Sequence, residues 1–145
     1  MTKIARLPPE ADPAILLRIG QFLSGLSNLY PGFNAWFTNK VMQPNDSIIL
    51  IAQDGEHLAG VAIGRAGEKP KLRCVRVRDD LQGSGLGLRL IDPMLDHIQS
   101  DKPHVTVAEE MMHSYSRAFV KRYGFALSDV TKGEYRHNKL EYHWN

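Results

Sequence analysis

A glycine-rich segment at residues 82–87, with the sequence QGSGLG, follows an alternating apolar run and precedes a stretch with helical periodicity. This order of patterns predicts a strand, a glycine loop and a helix. Glycine accepts positive φ angles and lets a ligand contact bare backbone, while the free N–H groups and dipole of a helix N-terminus favour an anion. The segment therefore predicts a site for a phosphate-bearing ligand.

Two other residue types could do chemistry, the single cysteine and the six histidines. Cys74 could act as an acyl-accepting nucleophile, but a lone cysteine in an alternating apolar strand more often packs in a core. One cysteine excludes an internal disulfide, which predicts a reducing, cytoplasmic location. The histidines show no metal-ligand spacing, so we expect no metal site. They are His57, His97, His104, His113, His137 and His143.

The composition of the 145 residues, 43% hydrophobic and 23% charged, predicts one soluble domain spanning residues 1–145. The longest strictly apolar run covers only residues 48–52, so no membrane span is expected. Residues 1–10 lack the pattern of a secretory signal, which agrees with a cytoplasmic protein.

The net charge is +2, from 18 lysines and arginines against 16 acidic residues, and no block of like charge predicts a nucleic-acid arm. Seven basic residues nevertheless fall between positions 65 and 89. They fit a polyphosphate ligand or a solvated basic face, and the sequence leaves both interpretations open.

The first third of the chain predicts one strand and two helices. Residues 2–7 fit a short strand, and Asp12 and Pro13 fit the N-cap and first position of a helix. A second, shorter amphipathic helix is predicted within residues 29–42. Its aromatic residues fit a core face or the wall of an acceptor pocket, and they are Phe33, Trp36 and Phe37.

The middle of the chain predicts an antiparallel meander of three strands, joined first by a hairpin at Asp54-Gly55 and ending with the strand before the glycine loop. The helix after the loop is followed by a β-branched run at residues 104–109, and a strand, crossover helix and strand predict a parallel pair. A helix from His113 or Ser114 to about Gly124 follows, and a last hairpin is predicted from residues 125–130 and 135–144.

The loop and the later helix together resemble the GNAT superfamily of acetyl-CoA-dependent N-acetyltransferases. Gln82, Gly85 and Gly87 match the loop of that superfamily in register, and Gly124-Phe125 match the pair that ends its usual terminal helix. The resemblance covers residues 47–125. It implies an α/β (α+β) fold with a mixed, mostly antiparallel sheet of six to seven strands, a parallel pair splayed at the acyl-CoA site, and about four helices.

The resemblance also implies a donor site. The pyrophosphate of acetyl-CoA would contact the loop amides and the first turn of the helix, and the pantetheine arm would pair with the edge of the preceding strand. An amide of that strand would stabilise the oxyanion, a contribution of about 2.7–4 kcal/mol per donor. The implied residues are Val75, Arg76, Val77, Gln82, Gly83, Ser84, Gly85, Leu86, Gly87, Leu88 and Arg89.

Proton transfer is where the sequence departs from the superfamily. The frequent acidic residue is missing from the strand before the loop, and the candidate bases are Glu109 and Glu110 after the next strand. Alternation puts Glu109 on the face of Val105 and Val107, and we slightly favour Glu109. The alternative is that both acids only cap or precede the next helix.

The usual tyrosine acid is replaced by Val120. Helical spacing puts Ser116 and Tyr123 on the face of Val120 and points Tyr115 elsewhere, which favours Tyr123 as the acid. Water could serve instead, because a coenzyme A thiolate is a tolerable leaving group. His113 falls nearest to the position of the frequent asparagine of this helix.

The resulting hypothesis is direct acetyl transfer from acetyl-CoA to a primary amine of a small molecule, peptide or protein, without a metal. One alternative is a non-catalytic acyl-CoA-binding regulatory domain. Another is a toxin-like acetyltransferase acting on aminoacyl-tRNA. The sequence does not fix the oligomeric state, and a homodimer is possible.

Overall fold

The computed structural model describes residues 2–8, 11–24, 32–41, 47–108 and 112–145, without the side chains at 33, 40, 41, 108, 113 and 114. A seven-stranded sheet runs through this part of the chain in the order β1-β2-β3-β4-β5-β7-β6. The parallel pair is β4 with β5, and the other neighbours are antiparallel. The predicted fold class is thereby confirmed. The strands are β1 (Thr2–Arg6), β2 (Ser47–Asp54), β3 (His57–Arg65), β4 (Lys71–Val77), β5 (His104–Ala108), β6 (Leu127–Lys132) and β7 (Leu140–Trp144).

Four α-helices flank the sheet in the described residues, as expected. The carboxylate of Asp12 accepts the N–H of Ala14 at 2.9 Å, which confirms the predicted N-cap. Two of the helices continue as π-helix, and a short 3-10 turn, Asp79–Leu81, precedes the third. In the part of the chain that the structure describes, no helix is long and apolar enough to cross a membrane. The helices are α1 (Pro13–Leu23), α2 (Phe33–Trp36, then π-helix Phe37–Val41), α3 (Leu86–Ile98) and α4 (Met112–Arg117, then π-helix Ala118–Arg122).

The last hairpin differs from the prediction at its second strand. That strand was expected to begin at Tyr135, but β7 begins at Leu140. The intervening residues form turns in which Gly133 has φ 78° and Asn138 has φ 59°. The N–H of Gly133 also donates to the carbonyl of Lys139 at 2.9 Å, which closes a wide connection between β6 and β7.

Alternation along the strands gives the sheet two apolar faces. On one face, Leu50 and Leu72 pack with Leu90, Met94 and other residues of α3 and with Phe119. On the opposite face, residues of β2 and β3 pack with α1 and with Phe37 of α2. Of the two interpretations of the early aromatic residues, the core one therefore holds for Phe37, which is buried.

Two glycines of β3 let α3 lie directly on the sheet. A Cβ atom at Gly60 would lie 2.9 Å from Leu90 Cδ1, and one at Gly64 would lie 2.7 Å from Met94 Sδ. Such contacts are shorter than van der Waals separation, so a side chain at either position would push the helix away. The close approach of α3 to β3 depends on these two missing side chains.

Candidate active site

The parallel strands β4 and β5 separate soon after they begin. Their register contains only Lys71 opposite His104 and Leu72 opposite Val105. Strand β4 continues to Val77 and stays paired with β3 throughout, with a register shift at Ile63/Gly64 that leaves Arg73 without an opposite residue. A gap therefore opens between β4 and β5 beyond Leu72, as the resemblance implied.

The backbone of β4 turns hydrogen-bonding groups toward this gap. The N–H of Arg78 donates to the carbonyl of Ala59 in β3 at 2.9 Å. Main-chain N–H and C=O groups of successive residues point to opposite sides of a strand. Those of Arg76 therefore point toward β3, as those of Arg78 do, and those of Val75 and Val77 point toward the gap. Two of the three β4 residues in the predicted donor site thus offer main-chain groups to an extended ligand.

The glycine loop delivers free amides to the same end of β4. Gly83 and Gly85 have φ of 81° and 88°, and Gly85 is the N-cap of α3. Among the described residues, backbone hydrogen bonds occupy the N–H groups at positions 81, 82, 84 and 89 but not those at 83 and 85–88. An added Cβ at Gly83 or Gly85 would meet no atom within 4 Å, so the loop surface is open. These features suit an anion at the start of α3.

The polar side chains of the loop stabilise the loop itself. Gln82 Nε2 donates to Asp79 Oδ1 at 3.2 Å and to the Val77 carbonyl at 3.4 Å. Ser84 Oγ donates to the Leu81 carbonyl at 2.5 Å. Arg89 reaches the carbonyl of Thr2 at 3.4 Å and remains exposed. Of the side chains predicted to bind the donor, Arg89 is thus the exposed one that carries a positive charge.

The arginines near the loop are paired with aspartates. Arg76 lies 3.5 Å from Asp79, and Arg78 donates to Asp80 at 2.6 Å. The hydrogen bond from Arg78 holds the pKa of the Asp80 carboxyl below its usual value. The positive charge that the sequence concentrates here is therefore partly neutralised, and the free amides become the principal anion-binding groups.

Tyr123 and Val120 do not share an environment, contrary to the spacing argument. Tyr123 is half-buried, whereas the Val120 side chain is 53% exposed. The cause is the π-helical end of α4, in which the N–H of Tyr123 donates to the carbonyl of Ala118, five residues earlier. A wider turn shifts the residues around the axis, so α-helical spacing gives the wrong face.

The hydroxyl of Tyr123 donates to Asp92 Oδ1 of α3 at 2.7 Å. Burial and the hydrogen bond to Asp92 raise the pKa of Tyr123 above its usual value. The acid role predicted for Tyr123 stays a prediction, and this geometry favours a structural role.

Tyr115 is the tyrosine that spacing dismissed and that the fold brings toward β4. It is half-buried, and its ring stacks on Phe119 with centroids 5.7 Å apart. Burial raises the pKa of Tyr115, and the positive charge of Arg76 in β4 acts against this rise. The i, i+4 pair of Tyr115 and Phe119 was the available signal, because Phe119 anchors that helix face in the core.

Cys74 lies in the core, as the sequence favoured. Burial raises the pKa of its thiol to about 12, so it is a neutral thiol near neutral pH. Close to it in sequence, the guanidinium of Arg73 lies 5.5 Å from the ring centroid of Trp36, which connects β4 to α2. Trp36 is half-buried and packs against the same core face as Phe37, and its place in the wall of an acceptor pocket stays a prediction.

The two candidate bases, Glu109 and Glu110, lie outside the described residues, and so does the side chain of His113. Ser116 is described and half-buried. Within the described ranges, no three histidine, cysteine, aspartate or glutamate residues are grouped to hold a metal ion.

The strand order, the opened parallel pair and the glycine loop before α3 define the fold of the acyl-CoA-dependent acetyltransferases. A family model for the acetyltransferase (GNAT) domain matches residues 32–140. The chain belongs to this GNAT acetyltransferase family. No curated protein sequence matches it.

Solved structures give the same fold. The ribosomal-protein-S18-alanine N-acetyltransferase from Escherichia coli aligns with a TM-score of 0.73 at 16% identity, covering 99% of this chain and 92% of the other. NAA60 from Arabidopsis thaliana, in complex with acetyl-CoA, gives 0.70 at 15%, with 99% and 97% covered. An IAA acetyltransferase from Bacillus cereus gives 0.65 at 16%, with 99% and 97% covered. Identities this low establish the fold alone.

Proposed function

We propose that this protein is an N-acetyltransferase that transfers the acetyl group of acetyl-CoA directly to a primary amine. The observation that carries the proposal is the gap between β4 and β5, which ends at the free amides before α3. An extended pantetheine arm with a pyrophosphate at one end has the shape and charge for this arrangement. A structural relative, NAA60, is described in complex with acetyl-CoA, which supports the same donor here.

The donor would lie along β4 with its phosphates at the loop. Main-chain groups of Val75 and Val77 would pair with the amides of pantetheine as a neighbouring strand would. The amides at positions 83 and 85–88 would hold the pyrophosphate, with the guanidinium of Arg89 beside them. The thioester then lies in the gap, where the N–H of Val75 can donate to its carbonyl.

Transfer would proceed by attack of a neutral amine on the thioester carbonyl. The new C–N bond forms, the carbonyl oxygen becomes an oxyanion that accepts from the N–H of Val75, and the C–S bond then breaks. The amine loses one proton to a base, and the thiolate of coenzyme A takes up one proton. Glu109 or Glu110 remains the candidate base, and we propose Tyr115, rather than Tyr123, as the group that protonates the thiolate.

The first experiment measures donor binding and turnover separately. Purified protein should bind coenzyme A in calorimetry and should release free thiol from acetyl-CoA in the presence of an amine acceptor. The acceptor panel would contain small amines, peptides and aminoacyl-tRNA. Mass spectrometry should then find an acetyl group on the acceptor nitrogen and none on Cys74.

A second candidate is a non-catalytic acyl-CoA-binding domain, which is favoured by Val120 at the usual tyrosine position. Tight binding of coenzyme A without thiol release for any acceptor would support this candidate over the first. Failure to bind coenzyme A would contradict both. A cytoplasmic location, a homodimer and an aminoacyl-tRNA acceptor remain predictions.

A further inference from the structure

A depression of about 300 Å³ lies at the end of the β4–β5 pair opposite the gap. It sits where the two strands are still paired, at Lys71 and His104. In the described part of the chain, its side-chain lining contains basic residues but no aspartate or glutamate. The lining residues are Lys69, Pro70, Lys71, Lys102, His104 and Asn145.

The cations of this depression repel one another. Burial and the charges of Arg65, Arg73 and Lys69 lower the pKa of Lys71, and the charge of Glu134 offsets only part of this effect. Lys102 is held in place, since its ammonium donates to the carbonyls of Tyr123 and Gly124, both at 2.8 Å. A bound anion would relieve this repulsion, because it places negative charge among ammonium groups that are already gathered.

A chain of hydrogen bonds stands behind His104. Its Nε2 lies 3.0 Å from Nδ1 of His143, whose Nε2 lies 2.8 Å from Oε2 of Glu134. Thr131 Oγ1 donates to the same Glu134 oxygen at 2.5 Å and lies 3.1 Å from His143 Nε2. The two imidazoles stack, with centroids 5.2 Å apart.

The tautomers of the two histidines are assigned from the acceptor chemistry of Glu134. An ionised Glu134 only accepts, so His143 donates from Nε2 and its Nδ1 must accept from the Nε2–H of His104. The neutral His104 then carries no proton on Nδ1, and that atom takes up the next proton. Glu134 favours this protonation, while burial, Lys71 and His143 oppose it and hold the pKa of His104 below its usual value.

We propose that the depression binds a doubly charged tetrahedral oxyanion, a phosphate group, together with one proton on His104. The charged groups around His104 are Lys71 of β4, Lys69 of the preceding turn, Lys102 before β5, His143 of β7 and Glu134 of the β6–β7 turn. The site is separate from the acyl-CoA gap and does not depend on acetyl transfer. Its phosphate belongs either to a small molecule or to a nucleic acid.

The test uses sulfate, which keeps its charge across the range in which histidine titrates. Calorimetry at about pH 5.5 and about pH 8 should show affinity roughly tenfold higher at the lower pH, with proton uptake. His104→Gln keeps an N–H donor for His143 and should remove the pH dependence. Equal wild-type affinity at both pH values would overturn the proton coupling.

Charge variants locate the site. Lys69→Glu changes an exposed side chain and should weaken sulfate binding by about tenfold or more. Lys3→Glu, at an exposed position of the distant strand β1, is the matched control and should bind as wild type does. An equal loss of sulfate affinity in both variants, or no loss in Lys69→Glu, would overturn the proposal. The affinity of Lys69→Glu for coenzyme A should be unchanged.

Competition then identifies the source of the phosphate. If a mononucleotide and a short single-stranded RNA displace sulfate equally at the same phosphate concentration, the ligand is a small phosphate ester. If the RNA displaces sulfate at much lower concentration, the ligand is a nucleic-acid backbone. If neither displaces sulfate, the phosphate assignment is wrong.

Discussion

The hydroxyl of Tyr123 donates to Asp92 at 2.7 Å, and Arg122 donates to the same carboxylate from its Nε and Nη2 atoms. The end of α4 is thereby fastened to the middle of α3, the helix whose first turn borders the gap. Asp92 therefore links the two helices of the site by side chains rather than by apolar packing alone.

We expect Tyr123→Phe to lower the free energy of unfolding by about 1 kcal/mol, the usual net contribution of such a bond, and to change kcat less than about twofold. Urea titration and steady-state kinetics check the two parts. In a double-mutant cycle with Asp92→Asn, the two effects should not add, because the residues share one interaction. Additive effects would mean that the bond contributes nothing in solution.

Tyr115→Phe should have the opposite signature, with kcat reduced by about 10²-fold and the KM for acetyl-CoA nearly unchanged. In the proposed mechanism the phenol supplies a proton to the leaving thiolate, while the phenylalanine ring would keep the contact with Phe119. If Tyr123→Phe reduces kcat and Tyr115→Phe does not, the result contradicts the proposal for Tyr115 and supports the sequence-based prediction that Tyr123 is the acid.

Gly87→Ala is the cleanest probe of the donor loop. Its added Cβ would lie 3.8 Å from Val77 Cγ2, an ordinary contact, and alanine suits a helix, so stability should stay level or rise by up to about 1 kcal/mol. The same Cβ stands among the amides at the start of α3, and coenzyme A should bind roughly tenfold more weakly in calorimetry.

Gly85→Ala tests the same loop but adds strain, because Gly85 has φ 88° and the left-handed region costs other residues about 1–2 kcal/mol. Gly67→Ala, at φ 108° and with open space around it, is the control for strain away from the loop. Equal coenzyme A affinity in Gly87→Ala and wild type would contradict the placement of the pyrophosphate.

Cys74 should not react with a thiol reagent in the native protein near about pH 8, and should react at once in denaturant. The unfolded thiol has a pKa of 9.0, and burial raises it to about 12 in the fold. A raised acid pKa stabilises the fold only below the unfolded value, so this contribution is lost as the pH rises from 9.0 toward about 12. Alkaline unfolding of Cys74→Ala should therefore be less steep, and rapid native labelling would contradict the buried position.

Much of the fold could be predicted because its signals are local. Asp12 with Pro13 marks a helix start, Asp54-Gly55 marks a hairpin, and alternation before the glycine loop marks β4, and each signal depends on residues within one turn or strand. The order of the last two strands could not be read in this way. Strand β7 lies between β5 and β6 because of pairing between Thr106 and His143, residues that no local pattern connects.

In the candidate site, too, local sequence patterns predicted some features and missed others. The loop at residues 82–87 could be predicted because glycine and helix periodicity specify its backbone. The environment of Tyr123 could not, because the π-helical end of α4 changes the spacing from which its helix face was predicted, and its acid role stays a prediction. The ion pair between Arg76 and Asp79 could not be predicted from the sequence either, because net charge does not show which charged side chains are in contact.

The glycines at positions 60 and 64 set the position of α3, the helix whose first turn forms part of the proposed donor site. Strand β3 never touches the proposed pyrophosphate, yet its bare backbone at Gly60 sets the height at which Leu90 and the rest of α3 rest on the sheet. The first turn of that helix carries the free amides that we propose for the donor phosphates. The position of these amides relative to β4 therefore depends on β3, a strand that would not contact the donor. Substitutions in β3 can thus change the affinity for the donor while every proposed binding residue stays the same.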